Sequence, residues 1–335
     1  MNRWIGGFLT GILVLSIMIS PGNSSAADFY EGKVVTILSG SPPGGGRDRV
    51  ARFVAKSLPK YLPGKPSIIV QNNAGGSGMI AANQLYRVIK PDGLTIFGTH
   101  RGLAFMQLLK VDGVEYDIKK FEMIGSVAAD SNVLCIRNDL PYKTFQELKN
   151  SKKQIFLGGG GPGSITTQMS FISRDFLGLN AKVIEYRGSA DSMLAIEQKE
   201  IDGIWIAYNS GKPHIARGLI RPLVRSWVVQ KGIEHLPVNE DLTTDPKGKA
   251  VMALLGRTAM MGQLYLAPPG TPANVMKIIR DAFDKMLKDP QVQAESEKAQ
   301  LDLRYIPAEE CTKLIRFIFE QPPEIVKIFS QYVAF

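Results

Sequence analysis

The chain has 335 residues, 44% apolar and 21% charged, an ordinary globular composition long enough for two cores. Lys and Arg number 40 against 31 Asp and Glu, a formal net charge of +9, but the basic residues are scattered rather than interleaved with aromatics, which argues against nucleic-acid binding. Two cysteines make no disulfide framework, and three histidines (His100, His214, His235) without HExxH or CxxC spacing argue against a zinc site.

Residues 1–27 read as a secretory signal. Arg3 is the only charge before Asp28, an apolar stretch covers 5–19, and Pro21 and "SSAAD" place cleavage after Ala26 or Ala27. The stretch is short for a membrane span, which needs roughly 20 apolar residues. Loss of Arg3 takes the net charge from +9 to +8. The mature protein is therefore expected outside the cytoplasm, where a positive surface favours anionic small molecules by long-range steering.

The mature chain opens with "KVVTILSG", a short strand, then "SPPGGGRDRV". Val50, Phe53, Val54 and Leu58 next recur on one face of a helix. "SIIVQN" predicts a second strand, "NAGGSG" a second glycine loop, and Ala81, Leu85, Val88 and Ile89 a second helix face. "PDG" is a turn before a third strand, "LTIFGTH". This βαβαβ order implies a parallel sheet with covered faces. A second α/β block starts near "SNVLCIRND": helix "FQELKNS", strand "QIFLG", the loop "GGGPGS", a helix marked by Ile165, Met169, Ile172 and Phe176, strand "AKVIEY", helix "DSMLAIEQKE", strand "GIWIAY" and then "IRPLVRSWV". The tail holds "APPGTP", the long helix "ANVMKIIRDAFDKMLKD" and two further helical stretches. The fold class is α/β, with two lobes and a cleft between them. Cys135, in the strand-like "VLCIR", and Cys311, opening a helix-like run, read as two buried thiols, with pairing in an exported protein as the alternative.

Strand, glycine loop, helix occurs three times, at 42–48, 73–78 and 159–164. A helix start presents unpaired N–H groups and the positive end of its dipole, and glycines let a ligand reach those groups, so the pattern suits a phosphate, sulfate or carboxylate. Simple turn geometry explains one such loop as well as a site does; three in a two-lobed exported chain favour a site. No loop carries the Lys of a P-loop, and GxSxG does not occur. "GSGMIA" matches the relaxed dinucleotide pattern GxGxxA, but an exported chain is a poor place for a nicotinamide cofactor. Ser164 has no His or Asp partner by motif and reads as a helix N-cap. Carboxylate is left as the leading anion, with no cofactor and no metal expected.

Together, "PPGGGRDRVARFVAKSL", "VQNNAGGSGMIAANQLYRVIKPDGLTI", "GGPGSITTQMSFI", "VIEYRGSADSMLAIEQKEIDG" and "LAPPGTPANV" resemble the TctC/Bug family over about residues 30–320. These are periplasmic solute-binding receptors of tripartite tricarboxylate transporters. The resemblance implies a type II, Venus-flytrap fold: lobe 1 from 28–128 and 238–335, lobe 2 from 129–237. It implies that a carboxylate is held by Pro43, Gly44, Gly45, Gly46 and Asp48 of the first loop and by Gly75, Gly76, Ser77 and Gly78 of the second, with Gly163, Ser164, Thr166 and Thr167 contacting it from the other lobe. Two departures stand out: "QNNAGGSG" where the family commonly has "ENRPGAGG", and Arg47 where it often has Thr or Ser. Arg47 is expected to be a surface charge at the helix start, with reach to the ligand as the alternative. Arg101 in "THRG" and Tyr208 in "WIAYNS" are the candidates for the far end of the ligand, and Trp205 is expected in the core. Arg187 is expected near the cleft, and Asp202 has no assigned role. The implied protein is a monomeric receptor, not an enzyme, that passes a small carboxylate to membrane permease subunits. Signalling to a sensor kinase through the same fold is the alternative, and a nucleotide-binding exported enzyme a remote one.

Overall fold

The computed structural model describes residues 29–129, 131–160 and 164–333. The signal peptide read at 1–27 and the candidate Gly163 lie outside these residues.

The chain begins with β1 (Val34–Ser39), α1 (Gly46–Ser57), β2 (Ser67–Asn72), α2 (Met79–Arg87), β3 (Thr95–Thr99), α3 (Gly102–Leu108) and β4 (Glu122–Ser126). It then crosses to a second sheet: β5 (Asn132–Arg137), α4 (Phe145–Asn150), β6 (Ile155–Gly159), α5 (Ile165–Phe176), β7 (Ala181–Glu185), α6 (Ser189–Glu197), β8 (Gly203–Ala207), α7 (Tyr208–Ala216) and β9 (Ile220–Arg225). It returns through α8 (Pro246–Thr258), β10 (Leu264–Ala267), α9 (Ala273–Lys288), α10 (Pro290–Lys298), β11 (Ile306–Pro307), α11 (Ala308–Phe319) and α12 (Pro323–Ser330).

The first sheet has the order β11-β4-β10-β3-β1-β2 and the second β7-β6-β8-β5-β9. The parallel core expected from βαβαβ is present, with Ile37 of β1 opposite Val70 of β2 on one side and Ile96 of β3 on the other. The sheets are nevertheless mixed. β10 enters from the returning chain and runs antiparallel between β3 and β4, and β5 runs antiparallel to both β8 and β9. The parallel strands β1, β2, β3 and β6 all deliver their carboxyl ends to loops that start helices, which is where an open α/β sheet places its ligands.

Two layers of apolar side chains hold these loops in place. On one face α9 buries Val275, Met276, Ile279, Phe283 and Met286 with Val35, Ile37, Ile96 and Tyr265 of the first sheet. On the other, Val251, Met252, Leu254 and Leu255 of α8 join a continuous cluster with Leu38 and Phe97 of the first sheet and Leu134, Leu157 and Trp205 of the second. Each such side chain contributes about 1.5–3 kcal/mol by leaving water. Helix α8 therefore packs on both sheets' elements, touching α5 and α11.

Trp205 is buried, as the sequence suggested, and its indole N–H donates to Ser173 Oγ at 2.7 Å. Cys135 and Cys311 are both free and buried, in separate clusters, and burial pushes both thiols above their ordinary range. Asp202 gains a role: its carboxylate accepts the Phe156 N–H at 2.9 Å and lies 3.8 Å from Arg137, tying β6 to the β5–β8 pair.

Candidate functional site

Between β1 and α1 the first glycine loop is organised by Asp48. This side chain is 1% exposed. Its Oδ2 accepts the Gly44 N–H and Arg52 Nε, each at 2.8 Å, and its Oδ1 accepts Asn72 Nδ2 at 2.8 Å. Burial alone would raise its pKa, but the bonds from Arg52, Asn72 and Gly44 together hold it below the usual carboxylate range. Asp48 thus braces the loop from behind, a correction to its expected place against the ligand: both oxygens are already engaged.

The three glycines differ. Gly44 has φ +81°, the region where only glycine is unstrained. Gly45, the N-cap of α1, has φ −70° and ψ 166°, ordinary extended backbone. A Cβ on Gly45 would meet nothing nearer than Pro42 O at 3.5 Å, and one on Gly46 nothing within 4 Å. Neither conformation nor packing requires glycine at these two positions. What the missing side chains leave is open space in front of a helix start.

In the second loop Gly76, Ser77 and Gly78 all have positive φ, at 56°, 54° and 91°. A Cβ on Gly78 would lie 2.9 Å from Gly40 O, so this glycine lets α2 approach the end of β1. His100 clips the loop in place. The Gly102 N–H donates to its Nδ1 at 3.1 Å, so the ring proton sits on Nε2 and points to Ser77 O, also at 3.1 Å. Burial, together with the charges of Arg47 and Arg101, pushes the imidazole pKa down to about 3, outweighing the bond to Ser77. His100 is neutral at physiological pH.

Across the cleft, Ser164 caps α5. Its Oγ accepts the Thr167 N–H at 3.2 Å and shares a 3.0 Å hydrogen bond with Thr167 Oγ1, which also accepts the Gly160 N–H at 3.0 Å. Thr166 and Thr167 are buried beneath this cap.

Two cavities run along the cleft. One, of about 370 Å³, is lined by Arg47, His100 and Arg101 from the first sheet's loops and by Asn132, Ser164 and Gln168 from the second sheet's elements; Phe105, Ile165, Leu255, Met261 and Val333 supply its apolar wall. The other, of about 530 Å³, opens over Gly45 and Gly46 and reaches Asn209 and Asp302. They share Arg47 and Gly262, so they are neighbouring stretches of one cleft.

Of the residues singled out in the sequence, Gly45, Gly46, Arg101 and Ser164 line these cavities. Pro43 and Gly44 are exposed beside them, Gly75–Gly78 stands behind His100, and Thr166 and Thr167 lie under the cap. Tyr208 is a correction: its ring packs with Val133, Cys135, Ile204 and Ile206 in the second sheet's core, and its neighbour Ala207 is the residue that faces the cleft. Arg187 is exposed and pairs with Asp191 at 3.1 Å on the start of its own helix. Arg47 is exposed at the helix start, as expected, and also lines both cavities. The sequence reading missed His100, Asn132 and Gln168 as cleft residues: His100 sits one position from Arg101, which it did select, whereas Asn132 and Gln168 carried no local signal.

Two sheets flanked by helices, with helix-start loops facing each other over a cleft, define a two-lobed solute-binding protein. The sequence model of the tripartite tricarboxylate transporter family receptor (TctC) matches residues 50–329, and the chain belongs to that family. Its members are periplasmic binding proteins. The chain is 28% identical over 272 residues to a UPF0065 protein of Bordetella pertussis, covering 79% of this chain and 80% of that one. Its fold is similar to that of a ligand-free TctC solute-binding protein from Polaromonas, with TM-score 0.72 and 19% identity over 90% of this chain and 98% of the other. It is also similar to an R. palustris protein solved with adipate, with TM-score 0.63 and 19% identity over 89% and 98%. The family resemblance noted in the sequence is confirmed.

Proposed function

We propose that this protein is an extracytoplasmic receptor that captures a small organic carboxylate between its lobes and hands it to the permease subunits of a tripartite tricarboxylate transporter. The observation that carries this reading is the pair Gly45 and Gly46, where an added Cβ meets nothing nearer than Pro42 O at 3.5 Å and the cavity opens in front. Helix α1, 12 residues long, starts without a side-chain cap, so its first N–H groups and the positive end of its dipole are left for a ligand. A carboxylate at this helix start gains charge-assisted hydrogen bonds from them. Closing the cleft brings the capped start of α5 toward the ligand from the other side. Family membership and a fold neighbour solved with adipate support the same reading. So does the neutral, doubly hydrogen-bonded His100, which is engaged in holding a loop rather than in moving protons. The protein acts as a carrier with no chemical step, and the signal read at 1–27 directs it to the periplasm.

A thermal-shift panel of organic acids, neutral sugars and amines tests this. Ligand at a hundredfold excess over its Kd stabilises the folded state by about 2.7 kcal/mol, so a carboxylate that binds raises the melting temperature by several degrees. Sugars or amines shifting it while no acid does is the result that defeats the proposal.

A further inference from the structure

We propose that the hollow between Trp227 and Arg304 is a docking site for a partner protein, taking an acidic segment that seats an apolar side chain on Trp227 and Val229 and sets carboxylates on Arg225 and Arg304. This surface lies outside the binding cleft and does not depend on what the cleft carries.

The segment that leaves β9 supplies the first observation. Burial alternates from Ser226 to Gln230: Ser226, Val228 and Gln230 are turned inward, while Trp227 and Val229 are turned outward, at 41% and 44% exposed. The outward set of such a segment is ordinarily polar. The inward set is held firmly, since Val228 packs with Ala129 and Ala259 and its carbonyl accepts Ser131 Oγ at 2.7 Å. Trp227 is held too. The Arg257 guanidinium, paired with Glu240 at 3.0 Å, lies over its ring at 4.8 Å from the centroid. Helix α8 passes so close that a Cβ on Gly256 would lie 3.1 Å from Trp227 Cβ. An exposed indole fixed from behind loses little further freedom on binding.

Beside the ring is a cavity of about 270 Å³, lined by Trp227, Val229, Val238 and Met260 together with Arg225 and Arg304. It shares no lining residue with the two cleft cavities. Small-molecule pockets run from roughly 300 to 1,000 Å³, so this one suits the side chains of a partner better than a whole ligand. Its described lining holds two guanidinium groups and no carboxylate. Arg225 Nη1 donates to the Ser226 and Trp227 carbonyls, which fixes that guanidinium, and its buried Nε has no hydrogen-bond partner among the described residues. The flanking carboxylates are occupied elsewhere: Glu240 with Arg257, and Asp302 with Gln230 and Asn209. Positive charge around an apolar hollow is complemented by an acidic segment, and Trp and Arg are the side chains that dominate binding energy at protein interfaces. Arg225 and Trp227 belong to the second sheet's chain, whereas Met260 and Arg304 flank strands of the first. An occupant therefore spans the junction of the lobes and reads their arrangement.

Capped synthetic peptides EELEE, QQLQQ and EESEE, titrated at millimolar concentration into the purified protein, test this through the emission of Trp227, the solvent-open tryptophan among the described residues. EELEE should shift that emission to the blue. It should bind at least about tenfold more tightly than QQLQQ, the scale of one charged hydrogen-bonded contact, and severalfold more tightly than EESEE. By calorimetry, Trp227→Ala and Arg304→Gln should each weaken EELEE at least about fivefold. Melting of each variant without peptide checks that it is folded. Binding of EELEE no tighter than either control peptide, or unchanged affinity in either variant, overturns the proposal. Displacement of EELEE by succinate overturns it by placing the peptide in the cleft. Self-association of the protein that Trp227→Ala abolishes overturns it by assigning the patch to a second copy of the chain.

Discussion

Gly45 and Gly78 both belong to glycine-rich turns, and they are glycine for opposite reasons. At Gly78 the protein itself demands it: φ is 91° and a Cβ would press on Gly40 O at 2.9 Å. At Gly45 the backbone is extended and the space is open, so any demand comes from outside the chain. Gly45→Val should therefore cost no more than about 1 kcal/mol, as a change at a helix N-cap does, while abolishing acid-induced stabilisation. Gly78→Val should lower stability by at least about 1–3 kcal/mol from backbone strain alone. Urea unfolding of the two variants, with and without ligand, separates the cases. Full ligand response in a folded Gly45→Val protein would show that the first loop is only a turn. Gly76, at φ 56°, belongs with Gly78 as a test site, since a substitution there disturbs the loop before it can probe the ligand.

Among the elements, those legible in the sequence were those with local signals. α1 and α5 follow glycine-rich runs and show helical periodicity, and β1, β3 and β6 are apolar runs closed by turn residues. β10 gave no such signal: "LYLA" is four residues long and acquires its place between β3 and β4 only by pairing with distant strands. α7 carries no clean helical signal, since Gly211 and Pro213 interrupt it, and it forms in the folded chain nonetheless. The cleft followed the same division. Glycines aimed at open space were visible, but the direction of Tyr208 depended on where a helix begins, and the roles of Asp48 and His100 depended on partners 24 and 23 residues away. His100 links two loops, and this has a pH signature. Its ring titrates near 6.5 when unfolded and near 3 when folded. Between those values the unfolded chain holds a proton that the folded one does not, so the contribution of His100 is complete above the unfolded pKa and is lost as pH falls toward 3. The slope it adds is at most about 1.4 kcal/mol per pH unit. His100→Asn, which keeps an acceptor for the Gly102 N–H, should be less stable than the parent at pH 7 but lose less stability on acidification to pH 5. Parallel pH–stability curves for the two proteins would refute the assignment.

At the scale of the whole molecule, the cleft is bridged by Asp302, which lies between α10 and β11. Its carboxylate accepts Gln230 Nε2 at 2.5 Å and Asn209 Nδ2 at 3.5 Å, both from the second sheet's side of the cleft. Behind it, Arg49 of α1 donates to Ala299 O at 2.6 Å, fixing the segment that carries Asp302 to the helix that presents Gly45 and Gly46. The bridge therefore couples lobe approach to the geometry of the first loop. A receptor that must bring its lobes together binds with an apparent affinity scaled by the fraction of molecules already in that arrangement. A hydrogen bond to a charged group contributes about 1.5–3 kcal/mol, so removing it shifts the balance toward the open form by roughly tenfold to a hundredfold. Asp302→Ala should thus weaken binding of every acid by a similar factor, because the loss acts on lobe closure. In solution scattering, the variant without ligand should have a larger radius of gyration than the parent, and saturating ligand should bring the two together. Unchanged affinity with an unchanged radius would mean that the bridge follows lobe closure instead of favouring it, and that the energy of closure comes from the ligand alone.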